Sequence, residues 1–172
     1  DGYLELKWHP GEAQVDFGMA QAVVGGDRVD VHCLVVTFPY SNMRWVVALP
    51  GETSECVCQG LLWIFERMGM APRVVVFDNA TGVGHRRPDG TVTQTRLFSL
   101  FCAHYGFEPR FCNPYSGHEE GAVESKVGMV RRKLFVPRPS VWSLENFNAG
   151  LPDRCLELAT KPHHRKDTEE RG

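Results

Sequence analysis

Residues 13–38, AQVDFGMAQAVVGGDRVDVHCLVVTF, decide the fold because they describe two long β-strands joined by a tight turn. Alternating and β-branched residues fill both halves, and GGD at residues 25–27 supplies the turn between them. The next run, NMRWVVAL at residues 42–49, has the composition of a third strand. The sequence therefore predicts an antiparallel meander of three strands from about Ala13 to Leu49.

A helix and a buried strand are predicted directly after the meander. The helix begins with Thr53 or Ser54 as its N-cap, and Gly69 is a plausible end. Residues 72–79, PRVVVFDN, form a continuous apolar run that stops abruptly at Asp78. Such a run is typical of a strand that is buried on both faces of a sheet.

The rest of the chain continues the alternation of helices and strands. The predicted segments are a basic, glycine-rich loop at residues 80–92, a helix at 93–106, a short strand at 107–112, a helix at 116–135, and a helical stretch at 143–160 that is interrupted near Gly150 and Pro152. The resulting order βββαβαβα predicts an α/β protein with a mixed five-stranded sheet flanked by helices. Three antiparallel strands come first and two crossover strands follow, which is the ribonuclease H-like order.

The composition is that of an ordinary globular protein. Of the 172 residues, 42% are hydrophobic and 23% charged, and the formal net charge is −2, so any contact with nucleic acid must come from local basic clusters. No apolar run approaches the roughly 20 residues of a membrane span, and the six cysteines have no paired metal-binding spacing. We therefore expect a cytoplasmic protein with reduced thiols. Its predicted parts are a catalytic core at residues 1–137 and a helical extension at residues 138–172 that leads toward a further domain.

Three carboxylates are candidates for a common site. Asp78 stands where the buried strand stops, and reactive groups gather beyond the carboxyl ends of parallel strands. Asp16 lies on the first strand, on the face opposite Val15 and Phe17. Glu124 lies on the helix predicted at residues 116–135. If the first strand neighbours the strand before Asp78, the three side chains can converge.

Convergence of three carboxylates would require a cation. Like charges at one point repel each other, and a hard divalent ion with oxygen ligands, such as Mg²⁺, relieves the repulsion. Taken singly, each residue also fits an ordinary role. Asp16 can face solvent from a strand, Asp78 can belong to a turn, and Glu124 can interact with the positive end of a helix.

Several stretches together resemble one known family. They are PGEAQVDFG at residues 10–18, VVVFDN at 74–79, HYGFEPRFCNPYSGHEEGAVE at 104–124, and VGMVRRKLFVP at 127–137. In this order they resemble the catalytic core of IstA-type transposases, which belong to the DDE transposases and retroviral integrases and come from insertion sequences that also encode an AAA+ helper ATPase.

The resemblance implies a site, a cofactor and a reaction. The implied catalytic and metal-binding residues are Asp16, Asp78 and Glu124, with Asp16 contacting two Mg²⁺ ions and the other two residues holding one each. Mn²⁺ would substitute for Mg²⁺. The implied reaction is cleavage at transposon ends followed by attack of the freed 3′-hydroxyl on target DNA. The implied partners are DNA, the helper ATPase and further copies of the protein on DNA, at the bacterial nucleoid.

Basic residues near this site are candidates for DNA contacts. They are Arg86 and Arg87 in the loop after Asp78, and Arg131, Arg132 and Lys133 on the last core helix. The sequence departs from its relatives at Glu120, where they often carry lysine, which puts a local DNA contact in doubt. His118 is either a phosphate or proton-transfer residue or an ordinary surface histidine.

Two other functions remain open from the sequence. One is a nuclease or resolvase of the same fold that only hydrolyses DNA or RNA, and the other is a noncatalytic DNA-binding or assembly module. The long match outside the triad argues against the first. The presence of all three carboxylates argues against the second.

Overall fold

The computed structural model describes residues 11–39, 41, 43–80, 82–112 and 126–160. Within these ranges the strands are β1 (Glu12–Val24), β2 (Asp27–Thr37), β3 (Arg44–Leu49), β4 (Val74–Phe77), β5 (Gly84–Arg86), β6 (Val92–Gln94), β7 (Glu108–Phe111) and β8 (Ser140–Val141). The helices are α1 (Ser54–Met68), α2 (Arg96–Tyr105), α3 (Lys126–Leu134) and α4 (Leu144–Thr160). No helix in the described part of the chain is both long and apolar enough to cross a membrane.

The main sheet has the strand order β3-β2-β1-β4-β7. Strands β1, β2 and β3 form the antiparallel meander, whereas β4 runs parallel to β1 and β7 runs parallel to β4. This confirms the predicted mixed sheet of three antiparallel strands and two crossover strands. The two-residue strand β8, which the sequence did not predict, pairs with Val23 and Val24 at the far end of β1.

Helices α1 and α2 are both bounded by a threonine N-cap and a C-terminal glycine, of which the Thr95 cap of α2 was not predicted. Thr53 caps α1 by accepting a hydrogen bond from the Cys56 amide, and Gly69 ends the helix with a φ of 79°. Helix α2 has the same two devices, an N-terminal threonine cap at Thr95 and a left-handed glycine at Gly106. Local signals therefore determine both boundaries.

Two segments differ from the sequence prediction. Residues 84–86 and 92–94, predicted as loop and as the start of the following helix, form the antiparallel hairpin β5–β6. The predicted interruption of the last helix is also wrong, because α4 is one helix with Pro152 inside it. Its buried residues Phe147, Leu151 and Cys155 recur every four positions. The burial of this continuous apolar stripe offsets the free-energy cost of the backbone hydrogen bond that a proline removes.

The sheet is covered on both faces by two separate hydrophobic clusters. The first lies beneath α1 and α2 and includes Val15 and Phe77. The second lies beneath α3 and α4 and includes Val35, Val127 and Leu151. Because side chains alternate along a strand, Val15 points to the first cluster and its neighbour Asp16 to the α3 side.

A side chain of α4 forms hydrogen bonds with the backbone at the outer edge of strand β3. The Asn148 carboxamide accepts a hydrogen bond from the Ala48 amide at 2.7 Å and donates one to the Ala48 carbonyl at 2.9 Å. Asn148 is buried, with 8% of its surface exposed. It thus takes the place of a neighbouring strand and fixes α4 on the sheet. Helix α4 falls in the predicted extension at residues 138–172, whose boundary at Pro137 stays a prediction.

Replacing Asn148 with alanine is expected to lower the free energy of unfolding by about 1–3 kcal/mol, because it leaves the Ala48 amide and carbonyl without their partner. Urea denaturation of the two proteins measures the difference. The control is Asn146→Ala on the exposed side of the same helix, which we expect to change stability by less than about 0.5 kcal/mol. Equal effects of the two substitutions would show that the Asn148 bonds do not stabilise the strand.

Candidate active site

Asp16 and Asp78 occupy neighbouring positions on two parallel strands. The register of β1 and β4 pairs Gln14 with Val76 and Val15 with Phe77, so the next residues in each strand direction are Asp16 and Asp78. The Asp78 amide donates to the Val15 carbonyl at 3.3 Å, which continues the ladder by one residue. Since adjacent strands lie about 4.8 Å apart, the two carboxylates share one edge of the sheet, where β4 ends.

The two carboxylates differ in their exposure to solvent. Asp16 is half-buried within the sheet, whereas Asp78 and the following Asn79 are exposed just beyond the end of β4. Two negative charges at this spacing repel each other, and the half-buried one also loses hydration. A cation near the pair would relieve both costs.

Helix α3 approaches the strand that carries Asp16 at a glycine. A Cβ atom added to Gly18, two residues after Asp16 and on the same face, would overlap Cγ1 of Val127. Val127 is buried in the second hydrophobic cluster. Glycine at position 18 therefore lets the first turn of α3 lie directly on β1, close to the carboxylate pair.

The first described turn of α3 lies close to Asp16 along β1. Val127 contacts Gly18 near the middle of β1, and the chain after the helix returns through β8 to pair with Val23 and Val24 at the far end of β1. The first described turn of α3 therefore lies nearer to Asp16 along β1 than β8 does. Glu124, the third predicted ligand, lies outside the described residues, as do His118 and Glu120.

Within the described residues, no group of three or more histidine, cysteine, aspartate or glutamate side chains is arranged to hold a metal ion. That search contains Asp16 and Asp78 but not Glu124. All six cysteines are described, and none of them forms a disulfide bond.

Arg86 and Arg87, both predicted as DNA contacts, have different surroundings on the β5–β6 hairpin. Arg86 is half-buried, and its guanidinium donates to the Gly90 carbonyl at 2.7 Å and to the Cys112 carbonyl at 2.8 Å. Arg87 is exposed, and its Nε donates to Thr93 Oγ1 at 2.5 Å. Only the second arginine presents its guanidinium mainly to solvent.

The three basic residues predicted on the last core helix are exposed in the last turn of α3. They are Arg131, Arg132 and Lys133. Positive charge there complements the negative end of the helix dipole. Arg131 also acts on the sheet below it: burial raises the pKa of the Cys33 thiol to about 12, and the positive charge of Arg131 opposes that rise. These cations lie farther along α3 than its first turn.

One polar row beside the site was not anticipated from the sequence. Thr37 of β2 pairs with Gln14 of β1 and with Arg44 of β3. Gln14 lies two residues before Asp16, on the same face of the sheet. Thr37 Oγ1 and Arg44 Nε are buried without a hydrogen-bond partner among the described residues, although an Arg44 terminal nitrogen donates to Met129 Sδ at 3.6 Å. Arg44 lies within an otherwise apolar strand run, which was the one available signal.

The chain is similar to transposases of bacterial insertion sequences. It is 32% identical over 164 residues to a transposase from Aminobacter aminovorans, covering 94% of this chain and 32% of that protein. It is 33% identical over 129 residues to the putative transposase for insertion sequence element IS5376 from Geobacillus stearothermophilus, covering 74% and 32%. The IS21 transposase from Pseudomonas aeruginosa is 28% identical over 150 residues, covering 87% and 38%. The chain thus spans about a third of the length of these relatives, and no family model matches it.

Solved structures with a similar fold include a retroviral integrase catalytic core and a retroviral intasome. The HTLV-2 integrase catalytic core domain in complex with magnesium has a TM-score of 0.52 and 17% identity, covering 73% of this chain and 70% of that chain. The simian T-cell lymphotropic virus intasome, solved with PP2A regulatory subunit B56 gamma, has a TM-score of 0.53 and 18% identity, covering 92% and 50%. The fold is therefore that of an integrase catalytic core, which is ribonuclease H-like. The similarity to insertion-sequence transposases and the fold both agree with the resemblance to the IstA type that the sequence predicted.

Proposed function

We propose that this chain is the catalytic core of a DNA transposase, which cleaves DNA at transposon ends and joins the freed 3′-hydroxyl to target DNA. The observation that carries the proposal is the placement of Asp16 beside Asp78 where β4 ends. Neighbouring carboxylates at the carboxyl end of a parallel strand are suited to phosphoryl transfer. The similarity of the chain to insertion-sequence transposases supports this choice of reaction.

The donor set at this site fits a divalent cation. Asp16 and Asp78 offer hard, anionic oxygen atoms on adjacent strands, and the exposure of Asp78 leaves room for water and a phosphate group. Mg²⁺, which accompanies the HTLV-2 integrase core, is the cofactor we propose, with Mn²⁺ as a substitute and two ions when DNA is bound. When bound, the ions would supply Lewis-acid activation of oxygen atoms at the phosphodiester.

We propose Glu124 as the third carboxylate of the site. It stands two residues before Lys126, where the described part of α3 begins. The first described turn of that helix lies close to Asp16 along β1, because Val127 rests on Gly18, two residues after Asp16. The set Asp16, Asp78 and Glu124 is also the one that the resemblance to IstA-type transposases implies.

The chain itself binds and orients the DNA. Asp16 and Asp78 would hold the cations that bind the reacting phosphate, while exposed basic side chains of the hairpin and of α3 neutralise the DNA backbone. Arg87 lies on the hairpin after Asp78, and Arg131, Arg132 and Lys133 lie on α3. We propose further that the protein assembles as an oligomer on DNA, works with an AAA+ helper ATPase, and acts in the cytoplasm at the nucleoid. The intasome with a similar fold supports the oligomer.

A strand-transfer assay tests the proposed reaction. The protein is incubated with labelled transposon ends, a target plasmid and either Mg²⁺ or Mn²⁺, and products are separated on a denaturing gel. We expect ends that are cut first and then joined to the target, and no product in EDTA. Cut ends that never join would contradict a transposase in favour of a hydrolytic nuclease. Binding without either product would instead indicate a noncatalytic module.

A further inference from the structure

The β5–β6 hairpin has two faces with different surroundings. Alternation along its strands places His85 and Thr93 on one face, and both residues are exposed. Arg87 joins this exposed face through its bond to Thr93. Arg86 points to the opposite face and is half-buried, together with its register partner Val92. The two consecutive arginines therefore lie in different surroundings.

Arg86 connects the tip of the hairpin to the strand end beside Asp78. Its two terminal nitrogens donate to different segments, one to the Gly90 carbonyl in the turn and the other to the Cys112 carbonyl just after β7. The Cys112 amide in turn donates to the Phe77 carbonyl at 3.0 Å, and Phe77 immediately precedes Asp78. A continuous series of hydrogen bonds thus runs from the hairpin tip to the carboxylate site.

The base of the hairpin is fixed independently of Arg86. Ser54 Oγ donates to the Gly82 carbonyl at 2.5 Å, and the Thr95 amide donates to the Val83 carbonyl at 2.9 Å. Gly82 has a φ of +81°, and a Cβ there would overlap the Glu52 carbonyl oxygen. The loop after Asp78 is therefore anchored at its root, and the orientation of the tip depends on the outer contacts, including those of Arg86.

We propose that Arg86 is a positioning residue that holds the hairpin beside the carboxylate site, and that Arg87 on the exposed face binds a phosphate of the DNA backbone there. This inference rests on the proposed function and refines it, because it separates two arginines that the sequence presents as equivalent. The bond to Thr93 engages one of the five N–H donors of the Arg87 guanidinium, and the exposed side chain offers others to a phosphate.

Lysine distinguishes the two roles at position 86. A phosphate contact needs a positive charge, which lysine keeps, so an arginine that binds phosphate tolerates the exchange in part. A bridge between two carbonyls on separate segments needs the planar fork of the guanidinium, which a single ammonium does not reproduce. Arg86→Lys therefore removes the bridge while it retains the charge.

The first arm of the test measures the hairpin without DNA. Hydrogen exchange of the Arg87 and Gly90 amides, which donate to Thr91 and Arg87 across the turn, is compared between the wild-type chain and Arg86→Lys. We expect exchange at these amides to accelerate at least about tenfold while the amides of β1 and β4 stay unchanged. Unchanged exchange at the turn would overturn the positioning role, whatever the protein does with DNA.

The second arm measures the salt dependence of binding to a transposon-end duplex. Loss of one phosphate contact lowers the slope of log Kobs against log salt by about 0.9. We expect that drop for Arg87→Ala, a similar drop for Arg86→Lys, and no further drop when the two substitutions are combined. The control is Arg73→Ala, an exposed arginine at the opposite end of β4, which should keep the wild-type slope.

Additive drops in the double variant would mean that Arg86 contacts phosphate by itself, and a wild-type slope in Arg86→Lys would mean that the bridge does not position Arg87. Either result overturns the inference. If the wild-type chain shows no salt-dependent binding, the proposed function fails, while the hydrogen-exchange arm still reports on the Arg86 bridge.

Discussion

Asp78→Asn is expected to reduce strand transfer by more than about 100-fold in Mg²⁺ while leaving the fold intact. Substitutions of residues that merely support a metal ligand typically cost 10–100-fold, so loss of a ligand itself should exceed that range. Asparagine keeps the size of the side chain but removes the negative charge that faces Asp16 from the next strand. Asp78 is exposed, so its substitution should affect stability little.

The matched control for Asp78→Asn is Asp30→Asn. Asp30 is an exposed aspartate on β2 that accepts a hydrogen bond from Gln21, away from the end of β4. Joined product is measured by gel and stability by thermal unfolding for both variants. Strand transfer by Asp78→Asn at the level of the Asp30→Asn control would refute the assigned role of Asp78. If Asp78→Asn lost both activity and folding, the loss of activity would be explained by unfolding. The melting curve must therefore be measured on the same sample.

Gly18→Ala is expected to lower strand transfer on the order of 100-fold, because it displaces the start of α3 from the carboxylate pair. The added Cβ overlaps Cγ1 of Val127. Valine in a helix has essentially one χ1 rotamer, so the helix rather than the side chain must move. A misplacement of about 1 Å in an active site can cost 10²-fold in rate, and overpacking adds a loss of about 1–3 kcal/mol in stability.

The compensating substitution Val127→Ala separates this mechanism from a general loss of stability. It removes both Cγ atoms, after which the contact nearest to a Cβ at position 18 is the residue 127 Cβ at 3.1 Å, a close but tolerable approach. The double variant should therefore recover most of the strand-transfer activity, even though Val127→Ala alone loses core packing. Additive losses in the double variant would show that the Gly18 contact does not position α3.

Much of the fold could be predicted because its signals are local. The meander follows from alternation in two strand runs and the glycine pair between them, and the boundaries of α1 follow from Thr53 and Gly69. Pro152 shows the limit of such reasoning. Its local preference against a helix interior is overridden by the buried stripe of α4, which only tertiary packing defines.

The candidate site was predictable to a different degree for each residue. Asp16 and Asp78 could be brought together in advance, because strand order fixes which positions become neighbours. The distinct surroundings of Arg86 and Arg87 could not, since the bridge from Arg86 to Cys112 joins segments 26 positions apart in the chain. The role of Gly18 was hidden for the same reason, because the residue that requires it is Val127 on another element.

The most direct measurement is the position of Mn²⁺ in crystals of the protein soaked with the ion, located by its anomalous scattering. We expect a peak within about 2.5 Å of carboxylate oxygens of both Asp16 and Asp78, with Glu124 as a further ligand. We also expect the peak to vanish in Asp78→Asn. Carboxylates of Asp16 and Asp78 that bind no ion at saturating Mn²⁺, even with transposon-end DNA present, would contradict the metal-dependent transposase site.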